Sequence, residues 1–393
     1  MKTPKGLRPH IGIFGRRNAG KSSIINALTN QNLSIVSRHP GTTTDPVEKA
    51  FELLPFGPVV FIDTAGIDDV GELGEKRVEK TLSVLARCDV AIFVSEEDTF
   101  SHFQRFKELV DGFDVPVILV RNKIDESPPE VKKEGVVYCS AKSKEGVDVL
   151  REKLISLLEK NSDQWEMSIT SGLIPPGGYA ILVVPIDKEA PAGRLIMPQV
   201  QTIRDILDGD GFCLVVKERE LKFAMELLKE PPSIVITDSQ AFLKVAADVP
   251  EDIPMTSFSI LFSNFKGDIV KFARGTFQID NLRDGDKVLI VEACSHHPIG
   301  DDIGRVKIPR LLRQYTGKKL EFKFHKGKDF PEGKFSLIIH CGGCMYNRRT
   351  ILNRIRMAEK RGIPITNYGM TIAYTLGIFE RAIKPFGIEE LIY

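Results

Sequence analysis

The sequence predicts an α/β protein with mainly parallel sheets, on three observations. Short β-branched runs alternate with segments whose apolar residues recur every three or four positions. The runs are apolar throughout, as strands covered on both faces are. A chain of 393 residues is also long enough for two or three separate cores. Runs at 11–14, 59–62, 90–94, 115–120 and 136–138 read as strands, and 22–28, 75–86 and 147–158 as helices. They make a doubly wound first domain over residues 1–165. The stretch 161–178, with Ser171-Gly172 and Pro175-Pro176-Gly177-Gly178, reads as a boundary. A second, smaller α/β domain over 175–272 has strands at 179–184, 212–216, 233–237 and 258–262 and helices near 200–207 and 221–228. It carries no glycine loop and no acid–base cluster, and reads as a packing or self-association module. A third over 276–393 has strands at 287–291, 320–324, 335–339 and 364–366 and a helix at 350–360.

At 42% apolar and 27% charged residues, with 32 Gly and 23 Pro, the composition excludes a disordered or collagen-like chain. Apolar runs such as 180–184 are strand-sized, far short of the roughly 20 residues of a membrane helix. No apolar stretch of secretory type follows Lys2, Lys5 and Arg8, so a cytoplasmic protein is expected. The net charge of +1 hides an asymmetry: residues 276–393 carry 20 Lys/Arg against 13 Asp/Glu, a net of +7, and the rest carries −6. Six cysteines in a cytosolic chain make a poor disulfide framework, and three of them, Cys294, Cys341 and Cys344, sit in the basic third. Metal binding is the expectation for those.

Gly15-Arg16-Arg17-Asn18-Ala19-Gly20-Lys21-Ser22 follows a strand and opens a helix, the sequence and context of a phosphate loop. Its glycines let backbone N–H groups of Ala19 through Ser23 face phosphates. Lys21 reaches the β- and γ-phosphates, and the Ser22 hydroxyl ligates Mg²⁺. Asp63-Thr64-Ala65-Gly66 ends the next strand, which puts a carboxylate near Mg²⁺ and the Gly66 N–H near the γ-phosphate. Asn122-Lys123-Ile124-Asp125 follows the strand at 115–120, and the Asp125 carboxylate can accept from guanine N1–H and its amine, for which adenine has no matching donor pair. Ser140-Ala141-Lys142 completes a base pocket. Four motifs in this order, each after a strand, point to a P-loop GTPase domain binding GTP and GDP.

Residues 8–160 resemble the bacterial GTPases of the TrmE-Era-Der group. The resemblance implies that Gly41-Thr42-Thr43-Thr44-Asp45 is the first switch and Thr43 a Mg²⁺ ligand, with Thr42 and Thr44 as neighbouring alternatives. Ile67 stands where Ras-type proteins carry a water-positioning Gln, which implies slow intrinsic turnover. Asn18 matches the asparagine that holds K⁺ beside the phosphates in TrmE-like members; otherwise it is a loop-stabilising side chain. Asp68, Asp69, Glu72 and Glu75 are candidates for a catalytic carboxylate, and solvated charge is the plainer reading of all four.

Cys294-Ser295-His296 and His340-Cys341-Gly342-Gly343-Cys344 each follow a strand of the third domain, where open α/β sheets place their sites. A lone Cys-x-x-Cys is a weak signal. Here a third cysteine and two histidines bracket it, and Gly342-Gly343 lets N–H groups approach cluster sulfides. Three thiolates suit a 4Fe-4S cluster with one exchangeable iron; structural zinc and a redox dithiol are the other readings. Residues 305–328 hold nine Lys/Arg and only Glu321 as an acid, either a solvated face or a field that draws an anionic partner.

A TrmE-like GTPase joined to Cys-x-His and His-Cys-x-x-Cys resembles the HydF family of FeFe-hydrogenase maturation GTPases over essentially the whole chain. The resemblance implies that Cys294, Cys341 and Cys344 ligate the cluster, with His296 and His340 in the motif and close by, and that the middle domain makes a homodimer. It further implies a scaffold or carrier that takes a diiron precursor, built with two radical-SAM enzymes, and delivers it to apo-hydrogenase. Two other classes stay open on sequence: an RNA-modification or ribosome-assembly GTPase with a structural metal, and a redox enzyme using its own cluster. Nucleic acid is the less expected partner, since stacking aromatics of the RNA-binding kind are not evident.

Overall fold

A computed structural model describes residues 5–30, 46–64, 72–100, 102–129, 131–160, 167–185, 195–292, 302–327, 331 and 333–392. The chain divides into two compact units, Met1–Glu166 and Met167–Tyr393.

In chain order the first unit runs β1 (His10–Gly15), α1 (Lys21–Thr29), β2 (Val47–Leu53), β3 (Gly57–Asp63), α2 (Glu72–Leu85), β4 (Val90–Ser95), α3 (Phe103–Val110), β5 (Val117–Arg121), β6 (Val136–Tyr138) and α4 (Val147–Glu159). The sheet order is β2-β3-β1-β4-β5-β6, parallel except where β2 meets β3. Successive side chains of a strand leave opposite faces. Ile11 and Ile13 of β1 therefore pack with Ile24 and Leu28 of α1 and Leu150 and Leu154 of α4, while Phe14 packs with Leu85 of α2 and Phe106 of α3. Two covered faces explain why the strands read as unbroken apolar runs. The edge strand β2 and the helix α3 escaped the sequence reading. Half-exposed Val-Glu-Lys-Ala-Phe-Glu-Leu lacks the apolar density of the buried strands.

The second unit runs β7 (Tyr179–Val183), α5 (Met197–Asp208), β8 (Phe212–Val216), α6 (Leu221–Glu226), β9 (Ile234–Thr237), α7 (Phe242–Asp248), β10 (Met255–Ser257), α8 (Phe258–Lys266) and α9 (Ile269–Thr276). It continues with β11 (Lys287–Glu292), α10 (Ile308–Thr316), β12 (Glu321–Lys326), β13 (Leu337–His340), α11 (Arg348–Lys360), β14 (Ile365–Asn367), α12 (Tyr368–Thr375), α13 (Phe379–Ile383) and α14 (Glu389–Ile392). It has two parallel four-stranded sheets, β10-β9-β7-β8 and β12-β11-β13-β14. The expected strand at 258–262 is a correction: those residues form α8. Ser257 accepts from the Ile260 N–H at 3.2 Å as its N-cap, and Phe258, Leu261 and Phe262 fall on one buried face.

The segments expected as separate domains at 175–272 and 276–393 share one hydrophobic cluster running from Ile181 and Val235 through Phe272 to Leu289, Ile339 and Ile383. Helix α9 makes the join. A Cβ on Gly275 would lie 2.0 Å from the Ile365 carbonyl oxygen, so glycine alone permits this approach to β14. Thr276 and Thr366 hydroxyls meet at 2.6 Å beside it. Among the described residues no helix is long and apolar enough to cross a membrane.

Candidate functional site

The phosphate loop leaves central β1 at Gly15 and enters α1 at Lys21. Gly15 (φ 140°) and Gly20 (φ 87°) occupy backbone that side chains rarely adopt. A Cβ on Gly15 would sit 2.2 Å from the Val94 carbonyl oxygen, and one on Gly20 2.3 Å from Asn122 Nδ2. Asn18 is left-handed too (φ 64°), a conformation asparagine tolerates. Buried Lys21 donates from Nζ to the carbonyls of Gly15 (3.1 Å) and Arg16 (2.7 Å), which holds its ammonium against the loop. Ser22 Oγ donates to Asp63 Oδ2 at 2.5 Å, so the hydroxyl and carboxylate expected at Mg²⁺ are already adjacent. Ser23 is exposed in the first turn of α1. Thr64 Oγ1 donates to the Ile13 carbonyl at 2.6 Å and ties the exit of β3 to β1.

On the base side, Asn122 is 2% exposed and joins three motifs. Its Nδ2 donates to the Ala19 carbonyl at 3.0 Å, and its Oδ1 accepts from the Ala141 N–H at 3.1 Å. Lys123 (φ 62°) pairs with Glu96, and exposed Lys142 lies 3.8 Å from Glu126. Buried Ser140 accepts from the Ser143 N–H at 3.0 Å, and Asp125 is exposed at the rim. Arg121 escaped the sequence reading: nearly fully buried, it pairs with Asp98 at 3.0 Å and donates to the carbonyls of Asn122 and Ser127, bracing the base loop. Thr43, Gly66, Ile67, Asp68 and Asp69 lie outside the described residues, and Glu72 and Glu75 fall in the opening of α2.

The second candidate site is at the carboxyl end of the β12-β11-β13-β14 sheet. The Cys341 N–H donates to the Val291 carbonyl at 3.0 Å, so the Cys-x-x-Cys loop starts against the end of β11. Cys341 and Cys344 are half-buried. Cys294 and His296 lie outside the described residues. Among the described residues no three His, Cys, Asp or Glu side chains gather as a metal site. His340 is 1% exposed and both its nitrogens are engaged. Nδ1 meets the Cys341 carbonyl at 2.6 Å and must donate there, which leaves Nε2 to accept from Arg354 Nη1 at 2.7 Å. Burial first, and the Arg354 guanidinium second, push its pKa down to about 3, so it is a neutral brace. Burial raises the Cys344 thiol, with Lys266 pulling the other way.

Lys266 and Arg354 were not singled out in the sequence, where each looks like a helix-surface cation. Lys266, at the end of α8, is 1% exposed, and its Nζ donates to the carbonyls of Gly343 (3.3 Å), Cys344 (3.0 Å) and Tyr346 (2.7 Å). Burial pulls its pKa down to about 8 while Cys344 and Cys341 act to raise it. In the basic stretch, Arg305 and Lys326 both pair with Glu292, at 3.3 and 3.2 Å, and Arg305 and Arg313 stack on Phe324 and Phe322. These cations are partly consumed inside the fold.

A sequence profile of the hydrogen maturase F dimerization domain matches residues 169–267, and one of the hydrogen maturase F tetramerization domain matches residues 270–385. The chain belongs to the hydrogen maturase F family. Within the family frame, Lys266 closes the dimerization segment and the cysteine loop lies in the tetramerization segment. A 50S ribosome-binding GTPase profile matches residues 10–123, so the first unit is a GTPase domain fit for GTP or GDP with Mg²⁺. Residues of this chain are 34% identical over 192 positions to GTPase Der of Wolinella succinogenes, which covers 44% of this chain and 40% of that one. They are 36% identical over 151 positions to the tRNA modification GTPase MnmE of Sinorhizobium medicae, covering 38% and 32%. The chain thus spans less than half the length of these curated relatives. The crystal structure of Aquifex aeolicus Era bound to GDP and aluminium fluoride is 25% identical, with a TM-score of 0.32, covering 38% of this chain and 56% of that one.

Proposed function

We propose that this chain is a cytoplasmic GTPase that serves FeFe-hydrogenase maturation as scaffold or carrier: it receives a diiron precursor made with two radical-SAM enzymes and passes it to apo-hydrogenase. The observation that carries the proposal is the cysteine loop at a strand end inside the hydrogen maturase F tetramerization segment, on the same chain as a hydrogen maturase F dimerization segment and a GTPase domain. In the first unit Lys21, Ser22 and Asp63 bind GTP with Mg²⁺, Thr43 ligates the metal through its hydroxyl, Asn18 holds K⁺, and Asp125 selects guanine. Hydrolysis is a switch for partner exchange.

Cys341, Cys344 and Cys294 hold a 4Fe-4S cluster, which supplies an iron with an exchangeable coordination position. The residues present fit such a group. Two thiols share one loop, Cys294 follows two positions after the last residue of β11 in sequence, and a buried ammonium with no carboxylate partner among the described residues adjoins the loop. His340 braces the loop through Cys341, and His296 lies near the open iron. Homodimer formation is supported by the edge strand β8, whose Phe212, Leu214 and Val215 are exposed although apolar. An RNA- or ribosome-directed role draws support from the name of the GTPase-domain profile and from the names of relatives, all of which match less than half of this chain.

The test is to reconstitute the full chain anaerobically with iron and sulfide, load it with the two radical-SAM enzymes and substrates, and add purified protein to apo-hydrogenase. Hydrogen evolution that depends on the loaded protein, with cluster loss in Cys294→Ser, Cys341→Ser and Cys344→Ser, is expected. Stoichiometric zinc without iron, or activation by the precursor enzymes alone, would defeat the proposal.

A further inference from the structure

Lys266 is a lysine of the second unit buried to 1% exposure. A buried ammonium is costly unless an opposite charge or full hydrogen bonding offsets it. All three of its donors are used, but only by carbonyls, those of Gly343, Cys344 and Tyr346. Among the described residues no carboxylate acts on it, the charged-form partners being the Cys344 and Cys341 thiols, and the Phe262 ring centroid lies 5.7 Å from its Nζ. A neutral donor would satisfy carbonyls as well. The fold nevertheless spends a full charge here, on the one loop that presents two cysteines, from a helix belonging to the neighbouring segment.

We propose that the Lys266 ammonium is the counter-charge of the cluster held at the cysteine loop, a positioning residue that shapes the loop through three carbonyls and raises the cluster's reduction potential. The role presupposes the cluster proposed above. With three thiolates the oxidised cluster is a monoanion, and the one electron it accepts makes a dianion. A nearby fixed cation stabilises the dianion more, so it favours reduction. Because Lys266 sits in the dimerization segment, the potential is set by two segments together.

The experiment compares full-length protein with Lys266→Met, Lys266→Gln and Lys266→Arg, each reconstituted with iron and sulfide. Gln keeps N–H donors for the carbonyls without the charge, and Arg keeps the charge. Iron content, GTP hydrolysis and a dithionite titration followed by EPR are read for each. The expected result is that Met and Gln lower the reduced-to-oxidised ratio at fixed potential at least tenfold, a 59 mV fall for a one-electron couple. Arg should hold the parental value within threefold, and GTP hydrolysis should be unchanged throughout. If Met fails to fold, Gln against Arg decides. Loss of cluster in Met and Gln but not Arg also supports the charge role. A parental midpoint in Gln, or equal loss in all three variants, would overturn it and leave Lys266 a purely structural clamp. A parent that binds zinc and no iron overturns the cluster itself, and is told apart because it fails before any variant is compared.

Discussion

Replacing Asn122 by alanine tests whether one buried amide holds the nucleotide site together. The substitution removes a donor to the Ala19 carbonyl at 3.0 Å and an acceptor for the Ala141 N–H at 3.1 Å. Ala19 is 1% exposed, so its carbonyl loses its partner away from water, at about 1–3 kcal/mol. Ala141 is half-buried and water can replace part of its loss, so about 0.5–1 kcal/mol is assigned there. The total, about 1.5–4 kcal/mol, corresponds to roughly 3–16 °C in the melting temperature of a unit this size. Calorimetry of the full chain, with the first unit's transition identified by its shift on adding GDP, measures it. Asn122→Asp keeps the acceptor but sets a carboxylate oxygen against the Ala19 carbonyl. It should cost at least as much at neutral pH, and the loss should shrink on acidification as the carboxyl regains a proton to donate. A melting temperature within about 1 °C of the parent in the alanine variant would refute the role given to Asn122.

Four further outcomes are expected. Asp125→Asn should cut the preference for GTP over ATP at least tenfold in competition against a fluorescent GDP, with iron content intact; undiminished discrimination would mean that another group reads the base. K⁺ should speed GTP hydrolysis over Na⁺ at equal ionic strength, and Asn18→Ala should lose most of that difference; equal rates in both salts would remove the K⁺ site. Leu214→Glu on the exposed β8 edge should shift sedimentation toward the monomer while nucleotide affinity stays the same, and an unshifted oligomer would place the interface elsewhere. Gly275→Ala should destabilise the second unit by about 1–3 kcal/mol in urea, since its Cβ has no room against β14; a neutral result would mean that α9 can back away from the sheet.

What was legible in the sequence follows from how local each signal is. Buried strands such as β1 and β4 are short unbroken apolar runs, and the nucleotide motifs sit in the few residues just past them, so pattern and position agree. Helix α8 was misread because Phe-Ser-Ile-Leu-Phe is apolar enough for either element, and the deciding signal was the cap at Ser257 rather than the run itself. Lys266 could not be read from neighbours, since its meaning comes from carbonyls 77 to 80 residues away. Arg354 likewise looks like one more cation in an arginine-rich helix until His340 is found against it. The shared core was hidden for a similar reason. Each segment has a complete strand set of its own, and nothing in either announces that α9 will lie across the other's sheet.

That shared core has a mechanical consequence. Well-packed interiors are stiff and pass strain along. The route from the β8 edge through Ile181 and Phe272 to Leu289 and Ile339, and so to the strand ends that bear the cysteine loop, contains packed side chains and no linker among its described members. A body that docks on β8 therefore pushes on a lever whose far end is the edge that carries the cysteine loop, with no hinge among the described residues of that route to absorb the load. Two segments that look like separable beads in the sequence would respond to a partner as one rigid wedge.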